Sequence, residues 1–118
     1  MQTKRTAEEV LDDHLRESKV GTVEADLARN YSPDLVVLTE HGVFHGHDGL
    51  LELTRRLLSE LPDPEFEYVA KIVEGEFAFL KWRGKGGGRQ VRDGADSYVI
   101  RDGKIVAQTI HYTVHESQ

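Results

Sequence analysis

One stretch of the chain, residues 35–61, constrains the fold more than any other. It opens with a run of branched apolar residues, typical of a strand, that ends at the carboxylate Glu40. A glycine turn and the short apolar segment 43–45 follow, and they predict an antiparallel return strand. Asp48 is then placed to cap a helix with leucines at helical spacing, which Pro62 ends. The stretch therefore predicts a strand pair followed at once by an amphipathic helix.

The flanking sequence predicts two earlier helices and a later sheet. Thr6 and Glu9 form a capping-box pattern, and Gly21 ends that first helix. Thr22 can cap a short second helix, which the Ser-Pro-Asp sequence at residues 32–34 breaks. Further strands are predicted at residues 66–73, 77–83, 91–101 and 104–114, the last two joined by an Asp-Gly hairpin turn. Helices separated from a meandering sheet favour an α+β fold over an alternating α/β fold.

Composition limits the classes of protein that fit this pattern. The 118 residues suit a single domain over residues 1–118, and the lack of cysteine excludes disulfides and thiolate metal sites. A net charge of −6 argues against a nucleic-acid partner. We find no apolar run of about 20 residues, the length of a membrane span, and no signal-peptide pattern, so we expect a cytoplasmic protein without membrane association.

The element order resembles that of the nuclear transport factor 2-like superfamily, which includes ketosteroid isomerases, SnoaL-type polyketide cyclases and non-catalytic binding domains. The resemblance lies in the G-x-x-G-L sequence before the third helix and in the D-G-K-I hairpin before a strand that ends in Tyr112. It implies a cone-shaped, curved mixed or antiparallel sheet wrapped round three N-terminal helices, a cystatin-like α+β barrel. It also implies an apolar pocket at the open end and a homodimer through the outer sheet face.

The resemblance to steroid isomerases also implies three site positions. Their general base, at the end of the first strand, corresponds to Glu40, and their protonated aspartic acid corresponds to Asp96. Their tyrosine donor lies seven residues before the glycine that ends the first helix, and His14 occupies that position here. This replacement argues against steroid isomerisation itself.

The residues themselves leave alternatives open at each position. Glu40 shares strand parity with Val36 and Leu38, so it faces the pocket if they do, with Leu38 as a ligand contact; otherwise it is a solvated strand end. Asp96 lies mid-strand, where aspartate is disfavoured. It is either a buried acid or the partner of an arginine, Arg92 or Arg101. His14 lies on an apolar helical stripe and is either a satisfied core residue or a catalytic group.

Three aromatic residues, Trp82, Tyr98 and Tyr112, are expected to line the cavity as ligand contacts or simply as core. The histidines at 41, 45 and 47 match no standard ligand spacing, so we expect neither a metal nor an organic cofactor. We therefore predict a protein that binds a small apolar molecule, with acid–base chemistry of the isomerase, dehydratase, cyclase or hydrolase type. The alternatives are a non-catalytic ligand-binding or dimerisation module, and protein recognition through the outer sheet.

Overall fold

The computed structural model describes residues 4–117, which form three helices and seven strands. The helices are α1 (Ala7–Val20), α2 (Val23–Asn30) and α3 (Gly46–Glu60). The strands are β1 (Tyr31–Thr39), β2 (Gly42–His45), β3 (Glu65–Glu74), β4 (Phe77–Gly86), β5 (Arg89–Arg101), β6 (Lys104–His111) and β7 (Val114–Glu116). The predicted α+β class and the predicted order of elements are confirmed.

The sheet is mixed and open. Its strand order is β2-β1-β6-β5-β4-β3, with β7 also paired to β5. Strands β1 and β6 run parallel, whereas the other pairs are antiparallel. Register shifts interrupt the pairing of β1 with β6, β3 with β4, β4 with β5 and β5 with β6, and such bulges bend a sheet. Within residues 4–117 the edge strands β2 and β3 do not pair with each other, so the architecture is a cone rather than a closed barrel.

Two of the three predicted helix caps are confirmed. The Thr6 hydroxyl accepts a hydrogen bond of 3.1 Å from the Glu9 amide, and the Glu9 carboxylate accepts one of 2.8 Å from the Thr6 amide. Thr22 caps α2 through the amide of residue 25. The prediction for Asp48 was wrong, because α3 begins at Gly46, whose φ of +69° turns the chain directly from β2 into the helix.

Strand lengths also differ from the predictions. β1 begins at Tyr31 rather than residue 35, and residues 32–34 form an irregularity inside the strand instead of a break. The last predicted strand is divided in two, β6 and β7. β4 and β5 extend into the glycine-rich segment, where Gly87 and Gly88 make the turn at positive φ.

The core lies between the helices and the concave face of the sheet. In β1 the buried residues are Tyr31, Leu35 and Val37, whereas Leu38 points outward and is 49% exposed. β4 alternates in the same way, with Ala78, Leu80 and Trp82 buried. No helix within residues 4–117 combines the length and the hydropathy needed to cross a bilayer.

Candidate active site

A cavity of about 300 Å³ lies between the helices and the concave sheet face. Its wall contains leucines of α3 and six aromatic residues, namely Tyr31, Phe66, Tyr68, Trp82, Tyr98 and Tyr112. Polar side chains also line it, including His14, Asp26, Asp96 and Gln108. A mostly apolar wall with a few convergent polar groups is typical of a small-molecule site.

Asp96 lies on β5 and is 8% exposed. Its Oδ1 accepts a hydrogen bond of 3.0 Å from the Trp82 indole, and its Oδ2 accepts bonds from Gln108 (3.1 Å) and the Tyr98 hydroxyl (3.4 Å). Burial raises the pKa of Asp96 to about 6, although these bonds and the charge of His14 act in the opposite direction. The carboxyl therefore changes protonation state near neutral pH, as a general acid or base requires. Its partners are not arginines, and Arg101 instead pairs with Glu76 on the surface.

Gly94 creates the space that Trp82 occupies next to Asp96. Gly94 on β5 and Trp82 on β4 are directly opposite each other. A methyl group added at Gly94 would lie 2.3 Å from the indole Cδ2, far inside van der Waals contact. The glycine therefore lets the indole lie across the strand, where its N–H reaches the carboxylate two residues further on.

His14 projects from α1 and forms a hydrogen bond of 2.7 Å between its Nδ1 and Oδ2 of Asp26. Asp26 lies on α2 and is buried, and its other oxygen accepts a hydrogen bond of 2.8 Å from the Asn30 amide. The same amide nitrogen donates to Asp13, which also pairs with Arg29. These contacts fasten α1 to α2 and so fix the position of the His14 ring.

Tyr31 and Gln108 connect His14 to Asp96. The Tyr31 hydroxyl donates a bond of 2.8 Å to Oε1 of Gln108, and Nε2 of Gln108 donates to Asp96. The same hydroxyl lies 3.5 Å from Nε2 of His14. We call His14, Asp26, Asn30, Tyr31, Asp96 and Gln108 the polar cluster. Sequence reasoning identified only His14 and Asp96 among its members.

A sequence signal for part of the cluster did exist. Asp26 and Asn30 are one helical turn apart, on the stripe of α2 that contains Leu27. A carboxylate and an amide on a stripe facing the core require buried partners, so they were detectable as candidates. Tyr31 and Gln108 carry no such signal, because they meet through the parallel pairing of β1 with β6.

Glu40 lies apart from the polar cluster. It follows β1, is exposed, and lies with Thr39 and His41 at the edge of the cavity. No hydrogen bond or ion pair joins it to His14 or Asp96 in the described part of the chain. The condition of the parity argument is not met, because Leu35, Val37 and Thr39 face inward and Val36 and Leu38 do not. Leu38 accordingly lies on the outer sheet face, in a shallow groove, and not in the cavity wall.

The three predicted aromatic residues do line the cavity. The ring of Trp82 lies 5.7 Å from that of Tyr112 and 5.6 Å from that of Phe66. The Tyr112 hydroxyl donates a bond of 2.6 Å to Glu60 at the end of α3, and burial raises the pKa of this phenol. The Tyr68 hydroxyl bonds the carbonyl of residue 15, and burial raises its pKa to about 12. These phenols therefore stay protonated and hold the cavity wall in place.

The electrostatic character of the cavity is acidic. Its wall includes the carboxylate residues Glu17, Asp26, Glu40 and Asp96 and, among the described residues, neither lysine nor arginine. Arg29 offsets one of these charges by pairing with Glu17. Within residues 4–117 no three His, Asp or Glu side chains are close enough together to hold a metal ion.

Comparison with known proteins agrees with the fold. The model of the SnoaL-like domain matches residues 13–108, and the chain belongs to this family. The family lies in the nuclear transport factor 2-like superfamily, as the sequence resemblance predicted. No curated protein sequence matches the chain significantly.

Three solved structures show how widely this fold is shared. An NTF2-like protein of unknown function from Burkholderia xenovorans is 22% identical, with a TM-score of 0.74 over 91% of this chain and 82% of that one. A proposed polyketide cyclase from Sinorhizobium meliloti is 21% identical, with a TM-score of 0.71 over 87% and 94% of the two chains. A de novo designed protein with a curved β-sheet is 18% identical, with a TM-score of 0.74 over 95% and 88%. Because a designed protein shares the fold, the fold alone does not identify an activity.

Proposed function

We propose that this protein binds a small, uncharged, largely apolar molecule in the cavity and carries out acid–base chemistry on it. The observation that carries the proposal is the buried carboxyl of Asp96, with a pKa of about 6, in a mostly apolar cavity beside His14. The volume of about 300 Å³ is at the lower end of the range for small-molecule sites, roughly 300–1,000 Å³. The reaction is of the isomerisation, dehydration, cyclisation or hydrolysis type.

Each proposed catalytic residue has a role that suits its position. Asp96 exchanges a proton with the ligand, because its carboxyl is buried and poised near neutral pH. His14 stabilises negative charge that develops on a ligand oxygen. Glu40, at the edge of the cavity, relays protons between the site and solvent. Trp82, Tyr98 and Tyr112 contact the apolar body of the ligand.

Binding can be measured through Trp82, which is the only tryptophan in the chain and lies in the cavity wall. A library of small ketones, epoxides and polyphenols is screened by quenching of its fluorescence, and each ligand that binds is then assayed for conversion. Asp96→Asn removes the titratable group with little change of shape. We expect it to lower turnover about 100-fold or more, the usual effect of losing a general acid or base. Asp102→Asn, the same change on an exposed hairpin, is the matched control.

The competing function is ligand binding without catalysis. If ligands quench Trp82 fluorescence but none is converted, or if Asp96→Asn and Asp102→Asn turn over substrate equally fast, the protein is a binding module and the catalytic proposal fails. Glu40→Gln distinguishes the proposed proton relay by Glu40 from the proton exchange by Asp96. A proton relay at the edge of the cavity predicts a smaller loss of turnover than Asp96→Asn causes.

We also propose that a second copy of the chain covers the outer sheet face. Large apolar side chains are exposed there, among them Leu38, Ile72, Phe77 and Phe79. Together with Val36 and Val99, they line the shallow outer groove. A contiguous apolar patch of this kind is unusual on a monomer and is typical of an interaction surface.

A further inference from the structure

The donor and acceptor roles in the polar cluster can be followed from one atom to the next. An ionised carboxylate only accepts, so Nε2 of Gln108, 3.1 Å from Asp96, must donate to it. This fixes the orientation of the Gln108 amide. Its oxygen, Oε1, therefore accepts the hydrogen of the Tyr31 hydroxyl at 2.8 Å. A phenol has a single hydrogen. The lone pairs of the Tyr31 oxygen are therefore left to face Nε2 of His14, at 3.5 Å.

The opposite side of the His14 ring is constrained in the same way. Nδ1 lies 2.7 Å from Oδ2 of Asp26, and the other Asp26 oxygen already accepts from Asn30. A carboxylate at that distance requires a hydrogen on Nδ1. Nε2 meanwhile faces oxygen lone pairs, so a lone pair on Nε2 would be repelled. Both ring nitrogens therefore face oxygen acceptors, an arrangement that an imidazolium, with a hydrogen on each nitrogen, satisfies.

We propose that His14 is held as an imidazolium with Asp26 as its positioning residue, and that its Nε2–H is the hydrogen-bond donor offered to an acceptor oxygen of the ligand. The assignment of a ligand rests on the proposed function, whereas the protonation state does not. The ligand class that follows is an uncharged molecule with a carbonyl or similar oxygen. Anionic ligands are disfavoured by the carboxylates of the wall.

The contact between Nε2 and Tyr31 is long enough to be replaced. At 3.5 Å it exceeds the 2.7–3.2 Å that is usual for an N–H···O bond, so a ligand oxygen at ordinary distance offers a better acceptor. The Trp82 indole donor is instead committed to Asp96 at 3.0 Å, and the Tyr98 hydroxyl lies 3.4 Å from the same carboxylate. Within the polar cluster, the Nε2–H of His14 is thus the donor that can most easily form a hydrogen bond with a ligand.

The surroundings of the ring support a positive charge there. Asp26 faces it from α2, Tyr31 from β1 and Tyr98 from β5, with the Tyr31 and Tyr98 ring centroids 5.5 and 5.8 Å away. The charge of His14 also favours the ionised form of Asp96. Since the described cavity wall contains neither lysine nor arginine, the imidazolium lies among groups that attract it.

The protonation state is tested by long-range ¹H–¹⁵N correlation spectra of histidine-labelled protein at about pH 7.5, where an ordinary histidine is mostly neutral. His14→Gln identifies the signals of His14 among the six histidines. We expect both nitrogens of His14 to show protonated-type shifts. A neutral pattern for His14 in the wild-type protein overturns the proposal.

The role of Asp26 is tested by Asp26→Asn, with Asp102→Asn as the matched control. We expect His14 to become neutral at the same pH in the first variant and to stay protonated in the second. An Asp26→Asn protein that is folded by circular dichroism and still holds a doubly protonated His14 contradicts the positioning role. If Asp26→Asn does not fold, the wild type supplies the measurement. The proton on Nδ1 of His14 is expected far downfield, as in a short hydrogen bond to a carboxylate, and an ordinary shift for this proton contradicts the role.

The donor role is tested with 2-adamantanone and 2-methyleneadamantane, which have the same shape and differ in the acceptor oxygen. We expect the ketone to quench Trp82 fluorescence at about tenfold lower concentration, since a charge-assisted hydrogen bond contributes at least that much. It should also shift the Nε2 signal of His14. Equal binding of the two probes, or binding of the ketone without a shift at Nε2, overturns the donor role. If His14 is doubly protonated and the ketone shifts its Nε2 signal, but no ligand is converted, only the proposed catalysis is refuted.

Discussion

The indole N–H of Trp82 donates a hydrogen bond of 3.0 Å to Oδ1 of Asp96, across two neighbouring strands. Both side chains are buried, so the bond replaces the water that an exposed carboxylate would have. The indole also forms part of the cavity wall. One residue therefore shapes the ligand site and holds the carboxyl whose protonation the proposed chemistry depends on.

Gly94→Ala is expected to displace Trp82 and leave Asp96 with one donor fewer. The added methyl would lie 2.3 Å from the indole, so the ring must move away. We expect a loss of stability of about 1–3 kcal/mol, the usual cost of overpacking a core, and a red-shifted tryptophan emission. Urea unfolding and emission spectra measure the two effects. Ala95→Val, which adds volume next to Gly94 on the opposite face of β5, should leave the emission maximum where it was.

Stability is expected to depend on pH through Asp96. The pKa of this carboxyl rises from 3.8 to about 6 on folding, so the folded state binds the proton more tightly than the unfolded state. The resulting stabilisation is complete below about pH 4 and is lost as the pH rises through 6. A rise of this size corresponds to a change on the order of 3 kcal/mol.

The measurement is urea unfolding of the wild type and of Asp96→Asn between about pH 4 and 7.5. Because asparagine does not titrate, the stability of the wild type relative to the variant should fall across this range. Parallel stability profiles for the two proteins would show that Asp96 has the same proton affinity in the folded and unfolded states.

The sequence predicted the fold well because several local signals agreed. Thr6 and Thr22 capped their helices as expected, and the Asp-Gly dipeptide at 102 and 103 made the predicted hairpin. Asp96 drew notice because aspartate is disfavoured in mid-strand, and the structure gives it buried partners. Such signals depend only on neighbours along the chain.

Neighbours along the chain did not show which side chains of β1 face the core. Leu35, Val36, Val37 and Leu38 are all apolar, so the alternation that distinguishes the two faces of a strand is missing. Both faces of this strand contact apolar surroundings, the core on one side and the outer groove on the other. Parity alone therefore could not assign Leu38 to a face, and the expectation that it contacts the ligand was wrong. The partners of His14 were missed because they come from α2 and β1, whose placement beside α1 is set by tertiary packing.

Ligand charge is expected to decide affinity for the cavity. Transfer of an anion into a wall that contains four carboxylate residues and neither lysine nor arginine costs desolvation, and the one proposed cation, His14, is already paired with Asp26. We expect 1-adamantanemethanol to quench Trp82 fluorescence at a concentration at least about tenfold lower than 1-adamantanecarboxylate does, and the gap should narrow at low pH as the acids become neutral. Raising the salt concentration separates surface repulsion, which salt screens, from repulsion inside the cavity. Tighter binding of the carboxylate would contradict the acidic character assigned to the site.

Phe77→Glu is expected to convert a dimer into a monomer. Phe77 is 63% exposed on the outer sheet face, where it lines the groove together with Phe79 and Ile72. A charge introduced there would have to be buried between two copies without a partner, which costs several kcal/mol. Sedimentation equilibrium of the wild type and the variant measures the change in mass. Val20→Glu is the matched control, since Val20 is 80% exposed at the end of α1, outside the groove. A wild type that sediments as a monomer, or a Phe77→Glu protein as dimeric as the control, would refute pairing through this face.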